Sequence, residues 1–434
     1  MAPKRCVLIL LDGLSDRAHQ VLGNKTPLEA AKTPSMDILA QRGLCGLMHA
    51  SEPGVALPSE QAHFAMFGFA KDFPGRGPLE ALGAEIKISP GDVAILARFV
   101  GVKQLQDGLV IIDNSPQLTA QEKEYLVSLV ASINIPGVKF SFHPVSGTRG
   151  ILIVKGEVSP FVSDSDPLSE GAPIYKVEPT NPEDALAAKT AEVLNKFLYE
   201  VWQKLEKAPL NQERLKKGFS PVNFLATHRA GKLGETETFN ERWGLRAASI
   251  SSGIIYWGIG KYLGFHVEKM KDYKDPAQEL DERLLRAKEL AKDFDFIHIH
   301  HKGPDEAAHR KDPLLKKKTI EALDKALSFH LDWLLSPENL VILTSDHATP
   351  SSGKMIHSGE PVPVVFCGEG VWPDNVKKFS EVSCTQGALS LISAKSLMYL
   401  VLNFLDRGIL AGLCYGKTPR AYYPCNARLF EVKA

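Results

Sequence analysis

The stretch Leu340–Pro350, LVILTSDHATP, constrains the fold more than any other part of this chain. Leu340–Leu343 is a short apolar run with two β-branched residues. That is the composition of a strand buried on both faces, and such strands belong to mainly parallel sheets covered by helices. Asp346 and His347 follow at once, and Pro350 stops regular continuation. A carboxylate and an imidazole just past the end of a buried strand face the crevice where open α/β sheets bind ligands. His357 follows within MIHSGEPVPVVF. Asp, His and His at a sheet mouth are the parts of a metal site with oxygen and imidazole ligands. A turn aspartate beside two solvated histidines is the competing reading of this stretch alone.

A second strand of the same kind is Cys6–Leu11, CVLILL, followed by Asp12-Gly13. Asp-Gly is common in strand-ending turns; the functional reading makes Asp12 a metal ligand at the same sheet edge as Asp346. Pro34–Arg42 has helical spacing, with Gly43 at its C-terminal end. In Gly54–Phe69, GVALPSEQAHFAMFGF, a Gly/Pro loop leads to Ser59 and then to the apolar positions of a partly buried helix. Ser59 sits where a capping serine sits. The alternative is a nucleophile exposed at a helix N-terminus, where backbone N–H groups and the helix dipole favour an incoming phosphate. A serine hydroxyl is a poor nucleophile at neutral pH and would need a metal to activate it.

From about residue 88 the texture changes. Leu109–Ile112, Val138–Phe142, Gly150–Val154 and Ile174–Val177 read as short strands around one amphipathic helix, Thr119–Ser132. This predicts a small α+β insert over 88–183, with 1–87 and 184–434 forming one discontinuous core. Pro182–Leu205 reads as a long amphipathic helix, Trp243–Gly264 as a return to the main sheet, and Leu280–Lys292 as another helix. Phe294–His300, FDFIHIH, alternates as a strand. In HHKGPDEAAHRKDP, Asp305 and His309 are spaced i, i+4, so one helical turn presents both to one cation. The basic run Lys311–Lys318 reads as a solvated helix face.

Composition narrows the class. The chain has 434 residues, with Lys plus Arg and Asp plus Glu each counting 51. That balance argues against a nucleic-acid binder working through a broad basic field. No stretch is long and apolar enough for a membrane span, and the N-terminus lacks the apolar region of a signal peptide. The six cysteines are scattered without a CxxC pair, which favours a reducing cytoplasm over a disulfide framework or a cysteine zinc site.

Together the segments LILLDGLSDR, TPLEAAKTPSMDILAQRG, GVALPSEQAHFAMFG, GRGPLEALG, HHKGPDEAAH, TSDHATP and HSGEPVPVVF resemble the archaeal-type, cofactor-independent phosphoglycerate mutases of the alkaline phosphatase superfamily. The resemblance covers nearly the whole chain. It implies an α/β fold, an alkaline-phosphatase-like mostly parallel sheet sandwiched by helices, with an inserted cap domain. It also implies a phosphate-accepting serine and two divalent metal ions, manganese first, with zinc, iron or magnesium as substitutes. Carried over position by position, the serine is Ser59. The metal ligands are Asp305, His309 and His357 in one site and Asp12, Asp346, His347 and the Ser59 oxygen in the other. Lys302 and Arg149 fall where the family has cationic residues facing substrate; Arg98, Arg229 and His63 complete the substrate candidates.

The insert departs from the family. Its DRRAGR-like segment is DNSPQL at Asp113–Leu118, its FRxNF pattern is ILARF with Arg98 displaced, RGAG is HRAG at His228–Gly231, and an Arg-rich segment is LISAKS at Leu391–Ser396. Neutral residues do not reproduce the bidentate grip of arginine on carboxylate or phosphate. Two enzymatic readings follow: interconversion of 2- and 3-phosphoglycerate, or hydrolysis or phosphoryl or nucleotidyl transfer on another phosphorylated or phosphonate small molecule. A catalytically silent binding protein is the third reading, and the complete ligand set argues against it.

Overall fold

The computed structural model describes residues 2–106, 108–425, 427, 428, 430 and 431. Its thirteen strands are β1 (Arg5–Leu11), β2 (Leu44–His49), β3 (Val93–Leu105), β4 (Gly108–Asp113), β5 (Lys139–Ser146), β6 (Arg149–Lys155), β7 (Phe224–Lys232), β8 (Ala247–Ser251), β9 (His266–Lys269), β10 (Phe296–His301), β11 (Asn339–Thr344), β12 (Val362–Cys367) and β13 (Ser390–Ser393). The chain divides into two compact units, 1–73 with 236–434, and 74–235.

The first unit is built on an eight-stranded sheet in the order β13-β2-β12-β11-β1-β10-β8-β9. Only β12 runs against its neighbours; the remaining pairings are parallel. The central strands β10 and β11 are buried at every position, and β1 at all but Arg5. This is why β1 and β11 read as continuous apolar runs, while β10 alternates isoleucine with buried histidine. On one face, Val7, Ile9, Leu11, Ile297, Ile299, Val341 and Leu343 meet three helices. These contribute Met36 and Leu39 from Pro34–Gln41, Leu280, Leu284 and Ala287 from Pro276–Leu290, and Ile320, Leu323 and Leu327 from Pro313–Ser328. Their i, i+3, i+4, i+7 spacing puts each set on one stripe. On the other face, His298 and Phe296 lie under Phe67, just past helix Ser59–Met66.

The second unit is a five-stranded sheet, antiparallel throughout, with β3 at its centre. Strand alternation sorts its core. Val93, Ile95, Ala97 and Phe99 join Leu152 and Val154 beneath helices Ala120–Ala131 and Ala185–Glu206, whereas Ala94, Leu96, Ile151 and Ile153 join Ala81 of helix Arg76–Gly83. The bounds differ from the expected 88–183 at both ends. Helix Arg76–Gly83 lies directly on β3: a Cβ on Gly77 would sit 2.1 Å from the Ala94 carbonyl oxygen. At the other end, helix Ala185–Glu206 supplies Leu194, Phe197, Leu198 and Val201 to this core, and β7 pairs with β3 over Val93–Val100. Ile174–Val177 forms no strand; it is irregular, between isolated bridges at Pro173 and Pro179. The basic run also differs from expectation, because Lys316 within it is fully buried.

Arg98 of β3 is held inside this unit. Its Nε and Nη2 donate to the two oxygens of Asp166 at 2.5 and 2.7 Å, and Nη1 donates to the Asn114 carbonyl at 2.7 Å. Burial opposes ionisation of Asp166, but the hydrogen bonds from Arg98 and His228 outweigh it and hold the carboxyl well below its usual range. Removing one partner of a buried pair strands the other charge. Arg98→Met should therefore lower stability by about 3–5 kcal/mol, read as a shift in the urea midpoint. A midpoint equal to wild type would show that the pair is not buried in solution.

Candidate metal centre

Parallel pairing brings the chemistry together. In register, Leu11 of β1 lies beside His301 of β10, and Leu10 beside Thr344 of β11. The three strands therefore end in step, and the residues that follow them (Asp12, helix Gly303–His309, and Ser345-Asp346-His347) gather at one edge. Gly13 is required at the first turn twice over. Its φ is +61°, and a Cβ there would lie 2.5 Å from Thr349 Oγ1 and 2.8 Å from Asp305 Oδ1.

Three oxygens surround His347 Nε2: Ser59 Oγ at 3.0 Å, Asp12 Oδ1 at 3.2 Å and Asp346 Oδ2 at 3.3 Å. Donor atoms on a tetrahedral cation with bonds of about 2.1 Å are separated by roughly 3.4 Å, so this spacing suits one ion among them. Asp12 Oδ1 and Asp346 Oδ2 are buried and make no hydrogen bond. Each carboxylate's other oxygen is satisfied. Asp12 Oδ2 accepts from Tyr256 OH at 2.7 Å and lies 3.1 Å from His300 Nε2; Asp346 Oδ1 accepts from the backbone N–H of Gly13 and of His347 at 3.2 and 3.0 Å. Two orphaned carboxylate oxygens aimed at one point fit a cation.

The second group is Asp305, His347 and His357, whose donor atoms lie within 4.8 Å of one another. His309 Nε2 is 3.1 Å from Asp305 Oδ2, and His357 Nε2 is 3.7 Å from Asp305 Oδ1. His357 Nδ1 donates to the Leu57 carbonyl at 2.9 Å, leaving Nε2 as the nitrogen with a lone pair. The rings of His347 and His357 stack at 3.7 Å, so His347 stands between the two groups. Sequence reasoning had assigned it to the Asp12 group alone.

Ser59 is the first residue of helix Ser59–Met66, and Pro58 occupies the capping position, so the serine is not a helix cap. His63 is buried one turn on, with Nδ1 2.7 Å from the Ser59 carbonyl oxygen. Burial, then His300, push His63 down to about 3, so its ring is neutral. Lys302 Nζ is 3.0 Å from Asp272 Oδ1 and 3.7 Å from Glu306 Oε1. In the second unit, Arg149 is exposed at the start of β6, and exposed Arg229 has φ 53° and a backbone N–H bonded to Asp164 at 2.7 Å.

The model of the metalloenzyme superfamily matches residues 4–404. A 2,3-bisphosphoglycerate-independent phosphoglycerate mutase of Methanocaldococcus jannaschii is 39% identical over 431 residues, covering 97% of each chain. A second, from Ignicoccus hospitalis, is 36% identical and covers 94% of this chain and 99% of its own. The chain belongs to the 2,3-bisphosphoglycerate-independent phosphoglycerate mutase family. The solved cofactor-independent phosphoglycerate mutase of Thermoplasma acidophilum superposes with a TM-score of 0.66 at 30% identity, over 93% of this chain and 100% of that one.

Two residues of this family member escaped the sequence reading. His300 had a signal: β10 alternates, so His298 and His300 share the face opposite Ile297 and Ile299. Tyr256, on helix Ile254–Tyr262, had none, because a tyrosine in an apolar helix reads as core. Burial lowers the His300 pKa against the pull of Asp12, so a neutral imidazole donates its single proton to Asp12 Oδ2.

The same carboxylates also attract protons. Burial works against the protonated form of His347, but the Asp346 and Asp12 carboxylates outweigh it and push the ring up to about 9. Burial and the Asp12 charge push Asp346 well above its usual range. A cation at Nε2 must displace a proton, so manganese affinity measured by calorimetry should rise from about pH 6 to about pH 8 with proton release on binding. Affinity that is flat across that range would sink the assignment. Asp305→Ala and His357→Ala should each lower the metal-to-chain ratio in elemental analysis while circular dichroism stays that of wild type.

Proposed function

We propose that this protein is a metal-dependent phosphoglycerate mutase in which Ser59 carries the phosphoryl group between the 2- and 3-hydroxyls of glycerate. The observation that supports this reading most is the Ser59 hydroxyl itself, 3.0 Å from His347 Nε2 at the first turn of helix Ser59–Met66. Asp12, Asp346, His347 and Ser59 would hold one divalent ion, and Asp305, His309 and His357 a second; manganese is the first choice. Such ions supply charge neutralisation for the phosphoryl oxygens and acidify the serine hydroxyl.

In the proposed reaction Ser59 Oγ gives up its proton and forms a bond to phosphorus. The bond from phosphorus to the substrate's hydroxyl oxygen breaks, and that oxygen takes up a proton. The glycerate stays bound, its other hydroxyl attacks the phosphoserine, and Ser59 is regenerated. The dipole at the start of helix Ser59–Met66 favours the anionic group being transferred. Lys302 is the proposed substrate contact of the first unit; Arg149 and Arg229 of the second unit are candidates on the family resemblance alone. The Asp166 pairing of Arg98 and the DNSPQL segment favour a second reading, in which water or another acceptor takes the group from Ser59. A reducing cytoplasm is the compartment this metabolism implies, in keeping with the unpaired buried cysteines Cys6, Cys45, Cys367 and Cys384.

The test is the fate of the phosphoryl group. With 3-phosphoglycerate and manganese, wild type should give 2-phosphoglycerate by phosphorus NMR, with phospho-Ser59 visible by mass spectrometry of quenched enzyme. Ser59→Ala should lose roughly three orders of magnitude in rate or more, yet keep most of its metal. Release of inorganic phosphate in place of the isomer would favour the second reading. Full activity in Ser59→Ala would defeat both.

A further inference from the structure

We propose that Lys316 is a positioning residue of this centre: its buried ammonium ties the loop after β1 to the loop after β11 and so fixes Thr349, which orients His347 and Asp305. The proposal rests on the reading of the site as a cation centre. Lys316 lies on helix Pro313–Ser328 and is fully buried. Its Nζ donates to the Ser15 carbonyl at 2.9 Å and the Thr349 carbonyl at 2.8 Å, and stands 3.2 Å from Asp16 Oδ2. Three protons meet three acceptors, so the ammonium is fully used. Asp16 completes the tie from the other side. It accepts from Ser351 Oγ at 2.5 Å, from the Ser351 backbone N–H at 3.0 Å and from the Arg17 backbone N–H at 2.7 Å.

Thr349 is the link to the ligands. Its backbone N–H donates to Ser15 at 3.0 Å, and its carbonyl is held by Lys316. Its Oγ1 donates to Asp305 Oδ1 at 2.7 Å and lies 3.1 Å from His347 Nδ1. A hydroxyl has one proton. With that proton on Asp305, Oγ1 accepts from His347 Nδ1–H, and the lone pair of Nε2 faces Asp12, Asp346 and Ser59. Lys311 works on the same segment further along, donating to the Pro350 and Met355 carbonyls at 2.9 and 2.7 Å, on the way to His357.

Stability alone does not explain a buried ion pair here. Burial lowers the Lys316 pKa against the attraction of Asp16, and apolar pairs of similar volume commonly stabilise a fold as well or better. What an apolar side chain cannot do is donate to two carbonyls from two different loops.

The experiment titrates cobalt(II) alone into the full chain, following its visible absorption, with thermal melting as a fold control. Lys316→Met should bind cobalt ten- to a hundredfold more weakly and with an altered spectrum. Because that variant strands Asp16, the double variant Lys316→Met/Asp16→Leu removes both charges; it should melt near wild type and still bind weakly. Thr349→Val tests the link without touching a charge and should weaken binding similarly. Wild-type affinity and spectrum in any soluble member of the three overturns the proposal. A wild-type chain that takes up no cobalt overturns the cation-site reading and this proposal with it.

Discussion

Three parallel strands that stop in step set everything else in the first unit. β10, β1 and β11 are adjacent and in a register that brings their last residues level, so one edge collects whatever follows each strand. Parallel pairing needs covering on both faces, and the helices packed there leave the strand ends as the exit from an apolar interior. A slip of one residue in β1 would turn Asp12 to the opposite side and take Gly13 off Thr349. The apolar core and the polar edge are therefore specified by the same register.

At that edge the difficulty is charge. Asp12 and Asp346 are buried beside each other, and like carboxylates in an apolar surround cannot both ionise without a counter-charge. The neighbours are arranged asymmetrically. Tyr256 and His300 occupy one oxygen of Asp12, backbone N–H groups occupy one oxygen of Asp346, and the remaining oxygens converge. The histidines beneath, His63 and His298, are kept neutral mainly by burial, so they add no competing positive charge. A layer of neutral imidazoles under a carboxylate pair leaves the positive charge to come from elsewhere.

Strands β1 and β11 were legible because burial on both faces leaves an unbroken apolar run, and the candidate ligands Asp12 and Asp346 because each follows such a run. The edges of the second unit were not. Helix Ala185–Glu206 carries one apolar stripe, which says that it packs but not on which sheet, and GRGPLEALG gives no hint that Gly77 must touch β3. His309 was singled out as a candidate through its i, i+4 partner, whereas the central position of His347 depends on a stacking with His357 that no local pattern encodes. Lys316 was misread for a general reason. A lysine in a run of lysines looks solvated, and only the three-dimensional acceptors Ser15, Asp16 and Thr349 reveal a buried one.

The second unit is a single continuous segment, 74–235, interrupting a first unit whose central strand is made of residues near the N-terminus. On the ribosome this imposes an order of events. β1 is made before the segment 74–235, whereas both of its partners, β10 and β11, are made after it. The intervening segment has all five of its strands by residue 232 and can close its own antiparallel sheet first. Until then CVLILL is an unpaired, strongly apolar strand with two bare edges, the kind of segment that chaperones shield. The metal edge is consequently assembled late, when β11 docks against a strand that was made before the whole of the second unit.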